Sequence, residues 1–484
     1  MAIIGGGFSG AAIAYHLARA GAHANVIIFE PRARLGGGLA YGGADPVHRI
    51  NVPATRMSLL PDDETHFARW LEASGILDAD PEALSGGGAF PRRREFGRYV
   101  DETLRPFIAS GRVRHIHDAV VELGRIGEAW RLCTRGGREW DADWVAVATT
   151  HPEPAIPPEL KSWQGDSALI AHPLTDNALA GVRKADSVLI VGTGLTSADL
   201  VASLDARRHS GGIVMISRRG LRARGHPPQA FPPEGDFVSN PARTATRLVA
   251  DIRRAVKVAE SSGRSWHPVF DALRTNGGDV WRALDAEARR RVVRHLRPFW
   301  DVHRFRVAPQ IDAVLDRKLA DGSLEILKAR LGEVAREGGT FRIDLRNVRK
   351  GTTEARLFDR IIVATGPAHG DVLRAQPFLR CLAAEGIVSL DNTGLGIQTS
   401  RAARAVDSSG QAVASLFIAG PLARGTFGEL MGLPQVSNYA LFVAEEIAAA
   451  LRREPGPCSR DAFHLAGSLG TAALTSHGGE IAEE

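Results

Sequence analysis

The chain reads as an α/β protein made of two Rossmann-like dinucleotide-binding domains, with a helical insertion in the second. Three observations lead there. A strand, a glycine turn, a helix, a second strand and an acid follow one another from residue 2 to residue 30. The strand, glycine turn and helix recur from residue 187. Two later apolar runs, at 358–366 and 416–420, end in tight turns of the kind that return a chain to a parallel sheet.

In the first copy the run Ala2-Ile-Ile4 leads into Gly5-Gly-Gly7-Phe8-Ser9-Gly10, and an Ala-rich segment at 11–20 has helical composition. Gly5 allows a tight exit from the strand, Gly7 lets backbone approach a pyrophosphate, and Gly10 lets helix and strand pack closely. The start of the helix, at Phe8 and Ser9, offers unpaired N–H groups and a partial positive charge to phosphates. The next run, Val26-Ile-Ile-Phe29, ends at Glu30, where a carboxylate accepts from ribose hydroxyls. These residues suit the ADP half of FAD.

In the second copy Ser187-Val-Leu-Ile-Val191 leads into Gly192-Thr193-Gly194-Leu195-Thr196-Ser197. Ser197 replaces the third glycine and is still small. Gly192, Gly194, Thr196 and Ser197 are the candidate phosphate-binding residues. The position equivalent to Glu30 is Ser217, followed by Arg218 and Arg219. An acid repels a 2′-phosphate and arginine binds it, so this unit is expected to take NADP, which visits and leaves.

The chain has 484 residues, 44% of them hydrophobic and 24% charged, which suits a globular protein of two to four domains. The net charge of +5 fits anionic cofactors, and no nucleic-acid module is present. No apolar run has the length of a membrane helix. The first strand leaves no room for a cleavable signal before it and allows for a start codon further upstream. Cys133, Cys381 and Cys458 are isolated, with no C-x-x-C pair. That argues against a redox-active disulfide and for a cytoplasmic protein. No metal-ligand spacing is visible.

Residues 1–165 are expected to be the first part of the FAD domain. The loop after its second strand, Gly36 to Tyr41 and then Ile50-Asn51-Val-Pro-Ala-Thr-Arg-Met57, has small residues and backbone amides suited to wrapping a flavin, with Asn51 and Met57 as candidates. Helices are expected at 62–73, 247–260 and 286–296, the last capped by Asp285, and a small antiparallel crossover at 113–141. Residues 181–350 should form the nicotinamide domain, with its insertion at 226–310. Residues 355–455 should return to the FAD domain, bringing Gly366, Gly420 and Pro421 to the cofactor. A helix at 435–453 would point its N-terminus at the flavin pyrimidine. Residues 456–484 read as a loose tail.

The insertion contains Arg297-Pro-Phe-Trp300-Asp-Val-His303-Arg304. Either it lines the substrate site or the channel between domains, or it is an amphipathic segment packed on the body. On the first reading Trp300 and His303 are the catalytic candidates, and Arg297 and Arg304 would hold a carboxylate.

These motifs, with Leu60-Pro-Asp-Asp63 and Ala419-Gly-Pro-Leu-Ala-Arg-Gly425, resemble the bacterial FAD/NAD(P)-binding protein family of two-dinucleotide flavoproteins. The resemblance spans residues 1 to about 445. More distantly the chain is similar to flavin-dependent N-hydroxylating and Baeyer–Villiger monooxygenases, though the Baeyer–Villiger fingerprint is missing. It departs from the wider pattern in three places. Thr150 stands where flavoproteins usually have glycine. Pro421 stands where many place an aspartate. Gly428 precedes Glu429 where an aromatic is common, a change expected to open the flavin pocket.

The resemblance implies an NADPH-dependent flavin monooxygenase that passes one oxygen of O2, through a flavin C4a-hydroperoxide, to a small amine, thiol or acid. Two alternatives remain open: an NADPH-dependent flavin reductase or dehydrogenase without oxygen transfer, and a non-catalytic sensor that binds the cofactors.

Overall fold

The computed structural model describes residues 1–453 apart from 22, 23 and 44. Cys458 and the expected tail at 456–484 lie outside the described residues. The first strand, Ala2–Ile4, is wholly buried and pairs in parallel on both sides, Ala2 opposite Ile27 and opposite Val145. Burial on both faces is why these strands read as unbroken apolar runs rather than alternating ones. The six-stranded sheet runs Arg404–Val406, Ala412–Ile418, Val145–Val147, Ala2–Ile4, Val26–Phe29, Val113–Ile116. Only the first of these pairs antiparallel, at the edge. Helix Phe8–Arg19 packs against the last helix, Gln435–Arg453, whose bounds coincide with those read from the sequence.

Two expectations are corrected here. Val113–Ile116 belongs to the main parallel sheet, and the antiparallel crossover is the meander Val120–Ile126, Ala129–Thr134 and Glu139–Ala142 that follows it. The meander is anchored by Trp130, fully buried, whose indole donates to Ser415 Oγ at 2.9 Å. The second correction concerns the boundary at 355. Strand Arg360–Val363 pairs in parallel with Val188–Val191, Val188 opposite Arg360, so it completes the second sheet. The chain re-enters the first sheet only at Arg404–Val406 and Ala412–Ile418. Both return strands carry a Val-Ala-Thr ending, at Val147 and Val363, and an apolar run by itself does not say which sheet it joins.

The second sheet has seven strands in the order Leu169–Ile170, Arg360–Val363, Val188–Val191, Ile213–Ser217, Leu324–Glu337, Thr340–Asn347, Thr353–Phe358. The expected insertion is helical. Helix Ala245–Ser261 is capped by Thr244, whose hydroxyl accepts from the N–H of Arg247, and Ala286–Arg291 by Asp285, which accepts from the N–H of Ala288 at 2.7 Å. A π-turn, Val292–Leu296, then leads into helix Arg297–Arg304. The two units are tied together by the ion pair Arg93–Asp199 at 2.8 Å, whose carboxylate is buried. Nearby, Ser203 Oγ donates to Asp45 at 2.7 Å and meets His48 Nε2 at 3.0 Å.

Candidate active site between two nucleotide cradles

In the first cradle Gly5 has φ +100° and a Cβ there would stand 2.7 Å from the Ala148 carbonyl oxygen. A Cβ on Gly10 would stand 2.0 Å from the Gly5 carbonyl oxygen, so no side chain fits at the helix–strand contact. Gly7 caps helix Phe8–Arg19 and faces Gly38 across the turn. The N–H groups of Phe8, Ser9 and Gly10 stand in the first turn, ahead of the first helical bond from Ala11 to Gly7. Phe8 stacks on Phe96 with centroids 5.6 Å apart. Gly420, at φ +60°, brings the other return strand so close that its Cβ would lie 2.4 Å from Ser9 Oγ, and Pro421 continues the turn. Glu30 is buried and accepts from the Gly6 N–H at 3.0 Å and the Arg32 N–H at 3.1 Å. This is a backbone-lined concavity closed by an acid, and its residues fit an adenosine diphosphate.

Met57 is buried in the core and Asn51 is half-buried. The Asn51 carbonyl meets His226 Nε2 of the second unit at 3.1 Å. Leu59, on the same loop, accepts from Ser437 Oγ at 3.1 Å, which seats the loop against the first turn of the last helix.

The second cradle repeats the geometry with different side chains. Gly192 has φ +139°, and its Cβ would meet the Ala364 carbonyl oxygen at 2.1 Å, the counterpart of Gly5 over Ala148. Gly366, at φ +80°, therefore belongs beside this cradle, because its strand joins the second sheet. Gly194 caps helix Leu195–Ala206 and faces open space. Thr196 is half-buried in the first turn, and Ser197 is fully buried with a hydroxyl that finds no partner. Ser217 Oγ accepts from the Gly220 N–H at 3.0 Å and pairs with Thr193 Oγ1 at 2.9 Å, holding the turn that carries the arginines. Arg218 is exposed with no ion pair among the described residues. Arg219 is already engaged, donating to the His295 carbonyl at 3.2 Å and lying 4.8 Å from the Phe299 ring centre.

The four residues expected on the substrate side do not converge. Arg304 and Trp300 both turn to Glu429, at 3.0 and 3.2 Å, and the Arg304–Glu429 pair is buried. Burial would raise the Glu429 carboxyl, but Arg304, Arg424, Arg274 and the Trp300 indole hold it below the ordinary range. His303 sits on another side, its Nδ1 bonded to the Phe299 carbonyl at 2.7 Å and its ring stacked on Phe270. Arg297 turns instead to the junction at His151 and His369, donating to His369 Nε2 at 2.7 Å. The expected opening at Gly428 is also corrected. A Cβ there would stand 2.8 Å from the Trp281 side chain, so an aromatic from the insertion takes the space that an aromatic at 428 would fill.

At that junction stands a group that the sequence reading missed. His151 follows the first return strand and His369 the second, and their rings meet edge to face at 4.5 Å. Arg297 donates to His369 Nε2, so the proton of that ring is on Nδ1, which is buried without a partner. His151 Nε2 meets Met431 Sδ at 3.3 Å, and its Nδ1 is likewise buried and unpartnered. Asp301 Oδ1 is a third such atom. Arg424 is 5% exposed, with no acid at ion-pair distance among the described residues. Burial, helped by Arg424 and Arg297, lowers His151 to about 4. Burial, His151 and the same arginines lower His369 to about 2, and burial raises Asp301. Both rings are therefore neutral near pH 7. A histidine just beyond each return strand was the available signal.

The fold is that of two-dinucleotide-binding flavoproteins. Residues 2–152 match the model of the FAD-NAD(P)-binding family. Among solved structures, the reduced form of ornithine hydroxylase from Pseudomonas aeruginosa is similar at 16% identity and TM-score 0.63, over 93% of this chain and 98% of that one. The FAD-bound cadaverine monooxygenase of desferrioxamine biosynthesis from Erwinia amylovora is similar at 14% and 0.62, over 99% of both chains. Ornithine N-hydroxylase from Kutzneria sp. 744, solved with reduced FAD, NADP+ and L-ornithine, is similar at 18% and 0.60, over 93% and 98%. No curated protein matches by sequence. Among the described residues no helix is long and apolar enough to cross a membrane, and no cluster of side chains has the make-up of a metal site.

Proposed function

We propose that the chain is an NADPH-dependent flavin monooxygenase, with FAD held by the first cradle and NADP by the second. One observation carries this reading. His151 and His369, which follow the two return strands, meet edge to face, and Arg297, Asp301 and Arg424 join them in a buried polar cluster. When bound, FAD and NADPH would supply the redox and oxygen chemistry. The protein's part is to bring the two cofactors to one junction and keep bulk water from it. The neutral histidine pair offers one N–H, on His369, and one lone pair, on His151 Nδ1. A polar group bound there can be held without adding charge. Arg424 and Arg297 favour a substrate that carries an acid group.

The first cradle suits a resident FAD because Glu30 and the Gly10 contact close it. The second suits a visiting NADP because Gly194 and Arg218 stay open. Residues 1–165 and the part from about Arg404 onward act as the FAD domain, with the nicotinamide domain between. The described cysteines, Cys133 and Cys381, are free and give no disulfide for reductase chemistry, which also suits a cytoplasmic protein. The neighbours named for ornithine and cadaverine make small amines the first substrates to try.

The test is to follow oxygen and NADPH consumption by FAD-loaded protein over a panel of amines, amino acids, thiols and small acids, with mass spectrometry of the product. An added oxygen atom in a product, one per NADPH, supports the proposal. NADPH oxidation that no substrate couples to product would point to the reductase reading, and no NADPH oxidation to the sensor reading.

A further inference from the structure

Beside the first turns of the last helix lies an open cleft of about 570 Å³, between that helix, the segment at 426–430 and helix Gly277–Ala283. The helix turns Ser437 inward to Leu59, and the cleft is on the other side, at Tyr439 and Phe442. Its floor is a triad of rings. Phe427 and Tyr439 have centroids 4.7 Å apart, and Phe442 lies 5.9 and 6.0 Å from them. The Tyr439 hydroxyl donates to the Ile418 carbonyl at 2.9 Å, so this ring gives the cleft its apolar body only. The rim is basic, with Arg282, Arg289 and Arg401.

The charges on this rim are not balanced. Arg289 spends its donors on the carbonyls of Trp281, Leu284 and Arg282, and forms no ion pair among the described residues. Arg401 is exposed and has no ion pair among the described residues. Burial and the proximity of Arg401 lower Arg289 below its usual value, against the pull of Asp285. Arg282 is paired with Asp279. The single acid on the wall, Glu429, is held by Arg304 and Trp300. A volume of this size suits a small organic ligand, and rings below unpaired guanidinium groups suit a flat apolar body with an anionic end.

We infer that this cleft is a binding site for an aromatic carboxylate. The inference does not depend on the proposed function, since it concerns binding alone. It is tested by calorimetry on FAD-loaded protein saturated with NADP+, using 2-naphthoate as the probe and cationic 2-(aminomethyl)naphthalene as its charge-reversed control. One saturable site for naphthoate is expected, with the cation bound at least about tenfold more weakly. Arg401→Gln and, separately, Phe442→Ser should each weaken naphthoate about tenfold while leaving flavin content unchanged. Arg401 is exposed, so its variant tests the charge without endangering the fold. Absence of saturable binding, equal binding of the cation, or binding that neither variant changes would overturn the inference.

Discussion

The two nucleotide cradles share one backbone path and differ in what their side chains leave free. Each begins with a glycine in left-handed or strained backbone, Gly5 over Ala148 and Gly192 over Ala364. From there they diverge. In the first, the third glycine meets the turn with no room for a methyl, and the acid at the strand tip is buried and hydrogen-bonded into the loop. In the second, the middle glycine faces open space, and the strand tip carries a serine and an exposed arginine. A closed cradle suits a cofactor kept through turnover, and an open one suits a cofactor that is exchanged. Duplicating the fold leaves these two uses to a handful of side chains.

The comparison breaks most visibly at the glycines. Gly10→Ala places a methyl 2.0 Å from a carbonyl oxygen that belongs to the turn itself and has no room to yield. Flavin retention should fall on the order of 100-fold, as overpacking at a fixed contact costs about 1–3 kcal/mol. Gly194→Ala meets nothing within 4 Å. It should fold and keep its flavin, with the KM for NADPH raised about tenfold where a methyl crowds the phosphate approach. Flavin absorbance per mole of protein and the KM separate the two. Equal effects of both changes would mean that the cradles are not differently closed.

Arg218 sharpens the contrast at the next level. Arg218→Ser should raise the KM for NADPH about 10- to 100-fold and leave NADH nearly unchanged, the size expected of a charge-assisted contact to a 2′-phosphate. Arg219→Ser should do much less, because that guanidinium is already committed to the His295 carbonyl and the Phe299 ring. A larger effect at 219 than at 218 would exchange their roles.

How far the sequence carried this picture depends on the range of the interaction. The glycine turn and acid of the first cradle were legible because they lie within thirty positions and Gly5 and Gly10 answer a local backbone need. The helix caps at Asp285 and the bounds of the last helix were legible for the same reason. The partners of Trp300 and Arg304 were not. Glu429 is 125 positions from Arg304, and no periodicity connects them. Strand Arg360–Val363 was placed in the wrong sheet because its Val-Ala-Thr ending repeats that of the first return. His151 and His369 were missed singly because each looks like an ordinary loop histidine, and only the meeting of the segments beyond the two sheets, bridged at Pro154 and Pro367, sets their rings 4.5 Å apart.

That pair gives a prediction for the junction itself. Both rings are held neutral below the value of about 6.5 expected in the unfolded chain, His151 to about 4 and His369 to about 2. Between pH 6.5 and those values the unfolded chain binds protons that the folded one refuses. The stability these rings contribute is therefore intact above pH 6.5 and is lost as pH falls toward 4, His369 continuing the loss below that. Urea denaturation at pH 7.5, 6 and 5 should show a decline of roughly 1 kcal/mol per unit for each ring. His369→Gln should remove one ring's share of it. A decline unchanged in that variant would place the sensitivity elsewhere, for instance at His226 or His267, each also lowered to about 4 by burial.

The smallest expected effect lies where the second cradle departs from three glycines. Ser197 is fully buried and its hydroxyl has no partner. A buried hydroxyl without a hydrogen bond carries a desolvation cost, so Ser197→Ala should leave stability unchanged or raise it by up to about 1 kcal/mol, visible as a small rise in Tm. If a bound dinucleotide gives that hydroxyl its missing partner, the same variant should lose NADPH affinity about five- to tenfold while gaining stability without it. Opposite signs in the two measurements would mark Ser197 as a group kept for the ligand. A loss of stability in the free protein would instead make it a packing residue that replaces the third glycine, and the difference between the cradles would then rest on Gly194 and Arg218 alone.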